Sequence, residues 1–307
     1  MELFNSVKKM IMRVVTLVMA FFAMNFCNAQ SKSIKLKQNK DGNTLLWQIS
    51  GNGLKHPSYL FGTFHLLCKE DIHFSDQLKA AVTAAKEIYM ELDMDDPNTM
   101  LEGLKFMYMN DNKKLKDFYT DSEYNRVENY FKDSAHMPIN MMENVKPYFL
   151  MSLLYPQILN CKTTSGIEEQ LVQLAKQKNK QIQGLETIEF QASVFDSIPY
   201  ADQAKELLNS IDSMSYYKDE FNAMLAVYKS QKLKEMENLF NKSEFGVDGH
   251  EDLLLYDRNR KWVSHLKTIM SKESVFVAVG AGHLLGEKGL ISLLKEAGYN
   301  VIPLLNK

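Results

Sequence analysis

The chain has 307 residues, of which 45% are hydrophobic and 24% are charged, values that are ordinary for a globular protein and sufficient for a sizeable core. The formal net charge is only -2, and the basic residues are scattered instead of forming one stripe. This balance argues against nucleic acid as a partner.

The first thirty residues have the pattern of a secretory signal. A basic start precedes an apolar run at 14–24, which is about the length of a signal-peptide core. Small residues predict cleavage between Ala29 and Gln30, so residues 1–29 are the predicted signal peptide and the mature protein is predicted to be exported, to the periplasm or the extracellular space. An uncleaved segment in contact with the membrane is the alternative, but this run is too short to span about 30 Å of hydrocarbon.

Two cysteines, Cys68 and Cys161, remain when Cys27 leaves with the signal. In an exported protein the two can pair, and the sequence leaves a disulfide and two free buried thiols equally open. The chain contains no CxxC spacing, which excludes a thiolate zinc knuckle and a redox dithiol.

The N-terminal part of the mature chain predicts a β-hairpin and a βαβ unit. Strand-like runs at 44–50 and 58–64 flank a turn-rich link, which predicts the hairpin. Residues 75–87 have helical spacing with Ser75 as the N-cap, and residues 88–94 alternate as a strand does. The crossover from the second strand through this helix to the third is expected to be right-handed.

The rest of the chain is mainly helical and then repeats the opening plan. Residues from about 97 to 270 have mostly helical spacing, with one short run at 180–186 that could return a strand to the sheet. A hydrophobic strand at 274–283, an amphipathic helix at 289–299 and a last strand at 300–305 follow.

We therefore expect a single α/β domain over residues 30–307. Its central mixed sheet is built from the βα units of both chain ends, and its helical middle segment packs around the sheet and roofs a cleft.

The two ends share the pattern Gly-x-x-His just past a hydrophobic strand. The first copy runs from Gly62 to His65 and the second from Gly280 to His283. Two such turns brought side by side would point both imidazoles into the crevice at the carboxyl edge of the sheet. Glycine lets a metal or ligand approach the backbone. Glu91, near the end of the strand that follows the first helix, can reach the same edge.

Two imidazoles and a carboxylate are the donors of an open divalent-metal site, so we predict His65, Glu91 and His283 as metal ligands. A metal ion in such a site lowers the pKa of a bound water toward about 7. The donors suit manganese, cobalt, zinc or iron without distinguishing among them. Each residue taken alone has an ordinary structural interpretation, and the repetition of the motif is what favours function.

Segments spread over about residues 40–307 resemble the TraB/GumN family, to which the Tiki metalloproteases belong. They are, in chain order, LLWQIS, SYLFGTFH, YMELD, GLETIEFQ, LLYDRNRKW and VFVAVGAGHLLGEKGLISLLKEAGYNVIPL. The resemblance implies a hydrolase that depends on one divalent metal ion, above all a peptidase acting on peptide or protein substrates. It places the two histidines and Glu91 at the metal centre, with Gly62 and Gly280 as the motif glycines.

The resemblance also implies that Glu186, Arg258 and Asn259 take part in catalysis together with Glu91. Arg258 and Asn259 match an Arg-Asn pair on a late helix of the family, and Glu186 stands in its LET motif. Arg258 would pair with a substrate carboxylate or an active-site acid, although without the family it would be interpreted as a helix surface residue. Glu186 would be a partner of the ligands or a general base.

A second function stays open from the same resemblance. Some relatives suggest a binding protein that sequesters a peptide or haem in the same cleft without turnover. The complete set of His, Glu and His favours catalysis, although metal binding alone would also need it.

Overall fold

A computed structural model describes residues 36–134, 136–159, 161–242 and 250–307. The predicted signal peptide lies outside the described residues. The strands are β1 Leu46–Ser50, β2 Ser58–Thr63, β3 Leu67–Cys68, β4 Glu87–Met90, β5 Thr164–Ser165, β6 Ile182–Gly184, β7 Val275–Gly280 and β8 Asn300–Pro303.

The helices occupy most of the segment between the two strand-rich ends. They are α1 Asp76–Ala84, α2 Pro97–Lys105, α3 Asp121–Asp133, α4 Pro147–Ser152, α5 Tyr155–Ile158, α6 Ile167–Gln177, α7 Ile188–Asp196, α8 Tyr200–Asp212, α9 Met214–Ser230, α10 Leu233–Phe240, α11 Asp257–Met270 and α12 Leu290–Glu296. A π-helical turn, Asp252–Tyr256, leads into α11, and a 3-10 turn, Ala281–Leu284, follows β7. Among the described residues, no helix is both long and apolar enough to cross a lipid bilayer.

One mixed sheet of six strands organises the fold, in the order β6-β4-β7-β2-β1-β8. β2, β7, β4 and β6 run parallel, whereas β1 is antiparallel to both β2 and β8. The predicted α/β class, the N-terminal hairpin and the pairing of strands from the two chain ends are therefore confirmed. The run at 180–186 does return a strand to the sheet, as β6.

The N-terminal βαβ unit is present as β2, α1 and β4, but β7 lies between its two strands. α1 begins where predicted, because the Ser75 Oγ accepts a hydrogen bond from the backbone N–H of Leu78. β4 ends at Met90 instead of near residue 94, so Glu91 is the first residue beyond the strand. The carboxyl ends of β2, β7 and β4 consequently share one edge of the sheet.

Apolar side chains cover both faces of the sheet. Because side chains alternate along a strand, Phe61 and Phe276 lie in a cluster with residues of α1, α6 and α9. Leu60 and Val277 lie in a second cluster, with residues of α11 and α12. β7 is central and buried on both faces, which explains its unbroken apolar sequence.

The structure joins Cys68, at the end of β3, to Cys161 in a disulfide with the two Cα atoms 5.7 Å apart. The bond closes a loop across a sequence separation of 93 residues. β3 also pairs antiparallel with β5, so that Cys68 lies opposite Thr164. The segment after the first Gly-x-x-His motif is thus tied to the segment before α6.

Gly62 lies where β2 approaches the turn that follows β7. A Cβ atom at this position would be 3.1 Å from Leu284 Cδ2 and 3.2 Å from Ala281 Cα, closer than packed atoms normally come. Its φ is not positive. Glycine therefore favours close packing of two chain segments here and does not serve an unusual backbone conformation.

We predict that Gly62→Ala lowers the free energy of unfolding by about 1–3 kcal/mol, because the added methyl overpacks against the Ala281 backbone. Gly103→Ala is the matched control. Its Cβ would meet only Ile188 side-chain atoms, at 3.8 Å, and alanine in a helix is favoured over glycine by about 0.5–1 kcal/mol. Urea unfolding should give opposite signs for the two variants, and equal stability of Gly62→Ala and wild type would contradict this account.

Candidate active site

Three strand ends meet at the carboxyl edge of the sheet. Thr63 of β2 is paired with Gly280 of β7, and Met90 of β4 is paired with Ala278. Because β7 lies between its two neighbours, the residues that follow β2 and β4 flank those that follow β7. This pairing brings the first Gly-x-x-His motif, Glu91 and the second motif together.

The three predicted metal ligands surround Gly280. A Cβ atom on this glycine would be 3.4 Å from Glu91 Oε1, 3.7 Å from His283 Cδ2 and 3.8 Å from His65 Nε2. The backbone of Gly280, with φ -49° and ψ 136°, is open to any residue. Glycine therefore serves here to leave space between the three side chains.

His283 is buried on the 3-10 turn after β7 and is oriented by Asn259 of α11. Its Nδ1 lies 2.7 Å from Asn259 Oδ1. The Asn259 Nδ2 donates to the backbone oxygens of His283 and Lys288, which leaves Oδ1 to accept. The Nδ1 atom therefore carries the proton, and the Nε2 lone pair faces the site. Burial lowers the pKa of His283 to about 3, so the ring is neutral at pH 7.

A buried ion-pair network fixes Glu91. Its Oε1 accepts from the backbone N–H of Gly280 at 2.9 Å and lies 3.7 Å from His283 Nε2, and its Oε2 accepts from Arg258 Nη2 at 2.6 Å. Burial would raise the pKa of Glu91, but His283, Arg258 and His65 together lower it to about 2. The carboxylate is therefore ionised.

Arg258 links both predicted acids to His283. Its Nη2 lies 2.5 Å from Glu186 Oε1, its Nη1 lies 3.3 Å from His283 Nε2, and Nη1 also donates to the Leu254 carbonyl at 2.8 Å. Arg258 is thus paired with Glu91 and Glu186, and its role in an active site stays a prediction. The guanidinium also lies against His283 Nε2, an atom that a metal ion would use.

Glu186 follows β6 and is enclosed by partners. Besides Arg258, it accepts hydrogen bonds from Trp262 Nε1 at 3.1 Å and Gln191 Nε2 at 3.2 Å. Burial raises the pKa of Glu186, opposed by the hydrogen bonds and the charge of Arg258. The Trp262 ring also lies 4.7 Å from the Arg258 guanidinium carbon, so it covers one face of the cation.

His65 differs from His283 in its exposure and its partner. Its side chain is 75% exposed, and its Nδ1 lies 2.9 Å from Glu168 Oε1. The same oxygen accepts from the Thr63 hydroxyl at 2.6 Å. The Glu168 carboxylate raises the pKa of His65 to about 9.

Sequence reasoning missed Glu168, Gln191 and Trp262, which all contact predicted site residues. Glu168 stands in the first turn of α6, where an acid is explained by the helix dipole alone. Gln191 and Trp262 are the last residues of the GLETIEFQ and LLYDRNRKW segments that carry the family resemblance, but no role was predicted for either. For Glu168 the sequence carries no signal that would have separated it from an ordinary helix residue.

The predicted ligands are of the types that bind a divalent ion. Two of them lie close enough to share one ion, and the third lies farther away. Glu91 Oε1 and His283 Nε2 are 3.7 Å apart, which is compatible with two ligands that each lie about 2 Å from one ion. The three predicted ligands do not all lie within 4.8 Å of one another. His65 is the outlying member, and its ring would have to approach the other two.

Among the described residues, a set of three ligand atoms within 4.8 Å of one another does occur at Cys68, Glu70 and Cys161. The two sulfur atoms are bonded to each other, and a disulfide offers no thiolate to a metal. We therefore do not interpret this set as a metal site.

The sequence is similar to several known proteins. One is the metalloprotease TIKI2 of Danio rerio, which is 21% identical over 85% of this chain and 61% of the relative. Another is the metalloprotease TIKI homolog of Amphimedon queenslandica, which is 21% identical over 88% of this chain and 63% of the relative. The chain thus spans about three fifths of the length of these relatives.

A bacterial relative matches over nearly its whole length. The uncharacterized protein YbaP of Shigella flexneri is 23% identical over 83% of this chain and 94% of the relative. No solved structure matches the chain. The model of the TraB/PrgY/gumN family matches residues 45–303, which is most of the sequence. This chain belongs to the TraB/PrgY/gumN family.

Proposed function

We propose that this protein is an exported hydrolase that depends on a divalent metal ion and cleaves peptide or protein substrates. The observation that carries the proposal is the meeting of two imidazoles and a carboxylate around Gly280. The relatives named metalloproteases support the same class of activity at 21% identity. Because that name implies a metal, they also support a metal cofactor.

His65, Glu91 and His283 would hold the ion. The donor set suits manganese, cobalt, zinc or iron. When bound, such an ion polarises a carbonyl group and activates water for attack at neutral pH.

The residues around the ligands prepare them for this task. Asn259 keeps the proton of His283 on Nδ1, so the lone pair of Nε2 can bind a metal ion. The backbone N–H of Gly280 and the guanidinium of Arg258 hold the Glu91 carboxylate in place. These contacts and burial keep the Glu91 carboxylate ionised and the His283 ring neutral at pH 7.

Arg258 would act as the positive charge beside the ion. An ion and Arg258 Nη1 cannot both use the lone pair of His283 Nε2, so the guanidinium would have to give up that contact for His283 to hold a metal ion. Its contacts with Glu186 keep it at the site, where it can stabilise a substrate carboxylate or the charge that develops on a carbonyl oxygen. The same contacts support Glu186 as the partner of Arg258 more than as a general base.

Export is part of the proposal. It rests on the signal-like pattern of residues 1–29, and the disulfide between Cys68 and Cys161 supports it, since such bonds persist in oxidising compartments.

We predict that the protein isolated from its native compartment begins at or near Gln30. Signal peptidases cleave after small residues that follow an apolar core. Intact-mass spectrometry decides the matter, and a chain that retains Met1 or carries a lipid on Cys27 would contradict cleavage at this place.

Each ligand is expected to be required for metal binding. His65→Ala, His283→Ala and Glu91→Gln should each weaken binding of Mn²⁺ or Co²⁺ by more than the roughly 10–100-fold that loss of an outer hydrogen-bond partner costs. The double histidine variant should lose little more activity than either single variant, because the ligands act as a unit. Isothermal titration and hydrolysis of an internally quenched peptide library measure the two effects.

His73→Ala is the matched control, because His73 is an exposed histidine in the loop after the first motif. It should bind metal and cleave peptides as the wild type does, and circular dichroism should report an unchanged fold for all variants. Full metal affinity and turnover in either ligand histidine variant would refute the proposed site. Metal binding by a wild type that cleaves no peptide would instead favour sequestration.

Gly280→Ala should separate metal binding from folding. The methyl group would make only ordinary van der Waals contacts, at 3.4 to 3.8 Å, and the backbone conformation suits alanine. The free energy of unfolding should therefore change by less than about 0.5 kcal/mol. The methyl would occupy the space between the three ligands, so we expect metal affinity to fall at least tenfold in the same titration. An alanine variant that binds metal like the wild type would show that this space is not the binding position.

A further inference from the structure

We infer that Glu168 is a positioning residue that holds the His65 ring so that its Nε2 atom faces the metal position beside Gly280. The inference deepens the proposed function and rests on it, since it concerns how one of the proposed ligands is presented. The residue that carries it, Glu168, lies in the first turn of α6, more than a hundred residues beyond His65 in the chain.

Packing does not fix the ring of His65. Its side chain is 75% exposed, whereas that of His283 is 4% exposed. The His283 ring lies 4.5 Å from the Trp262 ring, which together with Asn259 leaves it one orientation. An exposed imidazole without such walls needs a hydrogen bond to keep its orientation, and the bond from Nδ1 to Glu168 Oε1 is of that kind.

The two Gly-x-x-His motifs are completed in the same way. In each motif the Nδ1 atom meets a side-chain oxygen, Glu168 Oε1 for His65 and Asn259 Oδ1 for His283. The Nε2 atom of His65 is thereby left toward Gly280, and that of His283 toward Glu91 Oε1. A carboxylate or amide oxygen on the far nitrogen is the common way in which proteins orient and polarise a histidine that binds metal.

Glu168 is itself held in place. The Thr63 hydroxyl donates to the same Oε1 atom at 2.6 Å, and the carboxylate is only 15% exposed. The position also lies at the N-terminal end of α6, where a negative charge is favoured. The Glu168 carboxylate is therefore a fixed reference for the ring of His65.

The backbones of the two segments are locked to each other. Ile167 N–H donates to the Phe64 carbonyl at 3.1 Å, and the β3–β5 pairing and the Cys68–Cys161 disulfide continue the contact. A Cβ atom on Gly166 would lie 2.7 Å from the His65 carbonyl oxygen, so only glycine lets α6 start this close. An incidental surface ion pair needs no such construction.

The test compares Glu168→Ala and Glu168→Gln with wild type and with Glu169→Gln. Glutamine keeps an oxygen that can accept from Nδ1, whereas alanine keeps none. Glu169 is the matched control, because it is the next residue on α6, is exposed and contacts Ser165 instead of His65. Titration with Zn²⁺ gives the dissociation constant, and long-range ¹H–¹⁵N spectra of the zinc-loaded protein show which ring nitrogen of His65 carries the proton.

We expect His65 to carry its proton on Nδ1 and to use Nε2 for zinc in the wild type. The dissociation constant should rise about 10–100-fold in Glu168→Ala. Glu168→Gln should recover most of that loss, and Glu169→Gln should match the wild type. If the alanine variant does not fold, the glutamine variant and the spectrum of the wild type still decide the question.

The outcomes separate the inference from the proposed function. A wild type that binds zinc, with Glu168→Ala within threefold of it or with His65 protonated on Nε2, overturns the inference and leaves the proposed function intact. A wild type that binds no Zn²⁺, Mn²⁺ or Co²⁺ overturns the proposed function, and the inference fails with it.

Discussion

Parallel hydrogen bonding of β7 to both β2 and β4 is the constraint on which the candidate active site depends. This strand comes from the C-terminal end of the chain and is inserted between two strands from the N-terminal end. The register of these strands then places the site residues side by side, because Thr63 lies opposite Gly280 and Met90 lies opposite Ala278. A shift of one residue would turn every side chain of β7 to the other face and would take Gly280 out of its pairing with Thr63.

Charge balance is the second condition that the site must meet. Glu91, Glu186 and Arg258 bring two acids and one cation into a buried space, while His283 remains neutral. Removal of charged groups from water costs several kcal/mol per ion, so an unmatched negative charge is unfavourable there. The raised pKa of Glu186 relieves part of this excess. A divalent cation would relieve it further, which gives a physical reason for the donor set to attract one.

Much of this architecture can be predicted from the sequence, because local patterns determine it. The N-terminal hairpin, the cap at Ser75 and the return strand β6 follow from alternation and turn residues. Glu168 does not, because an acid in the first turn of a helix is already explained by the helix dipole. At Gly280 the φ is ordinary, and the space beside the residue is what requires glycine.

The two copies of one short motif end in different environments. His283 forms part of a rigid wall, enclosed by α11 and the π-helical turn, while His65 stands at the rim in contact with solvent. A ligand arriving from solvent can therefore contact the first histidine directly, whereas the second is enclosed. The repeated motif thus supplies one exposed and one buried imidazole to the same edge of the sheet.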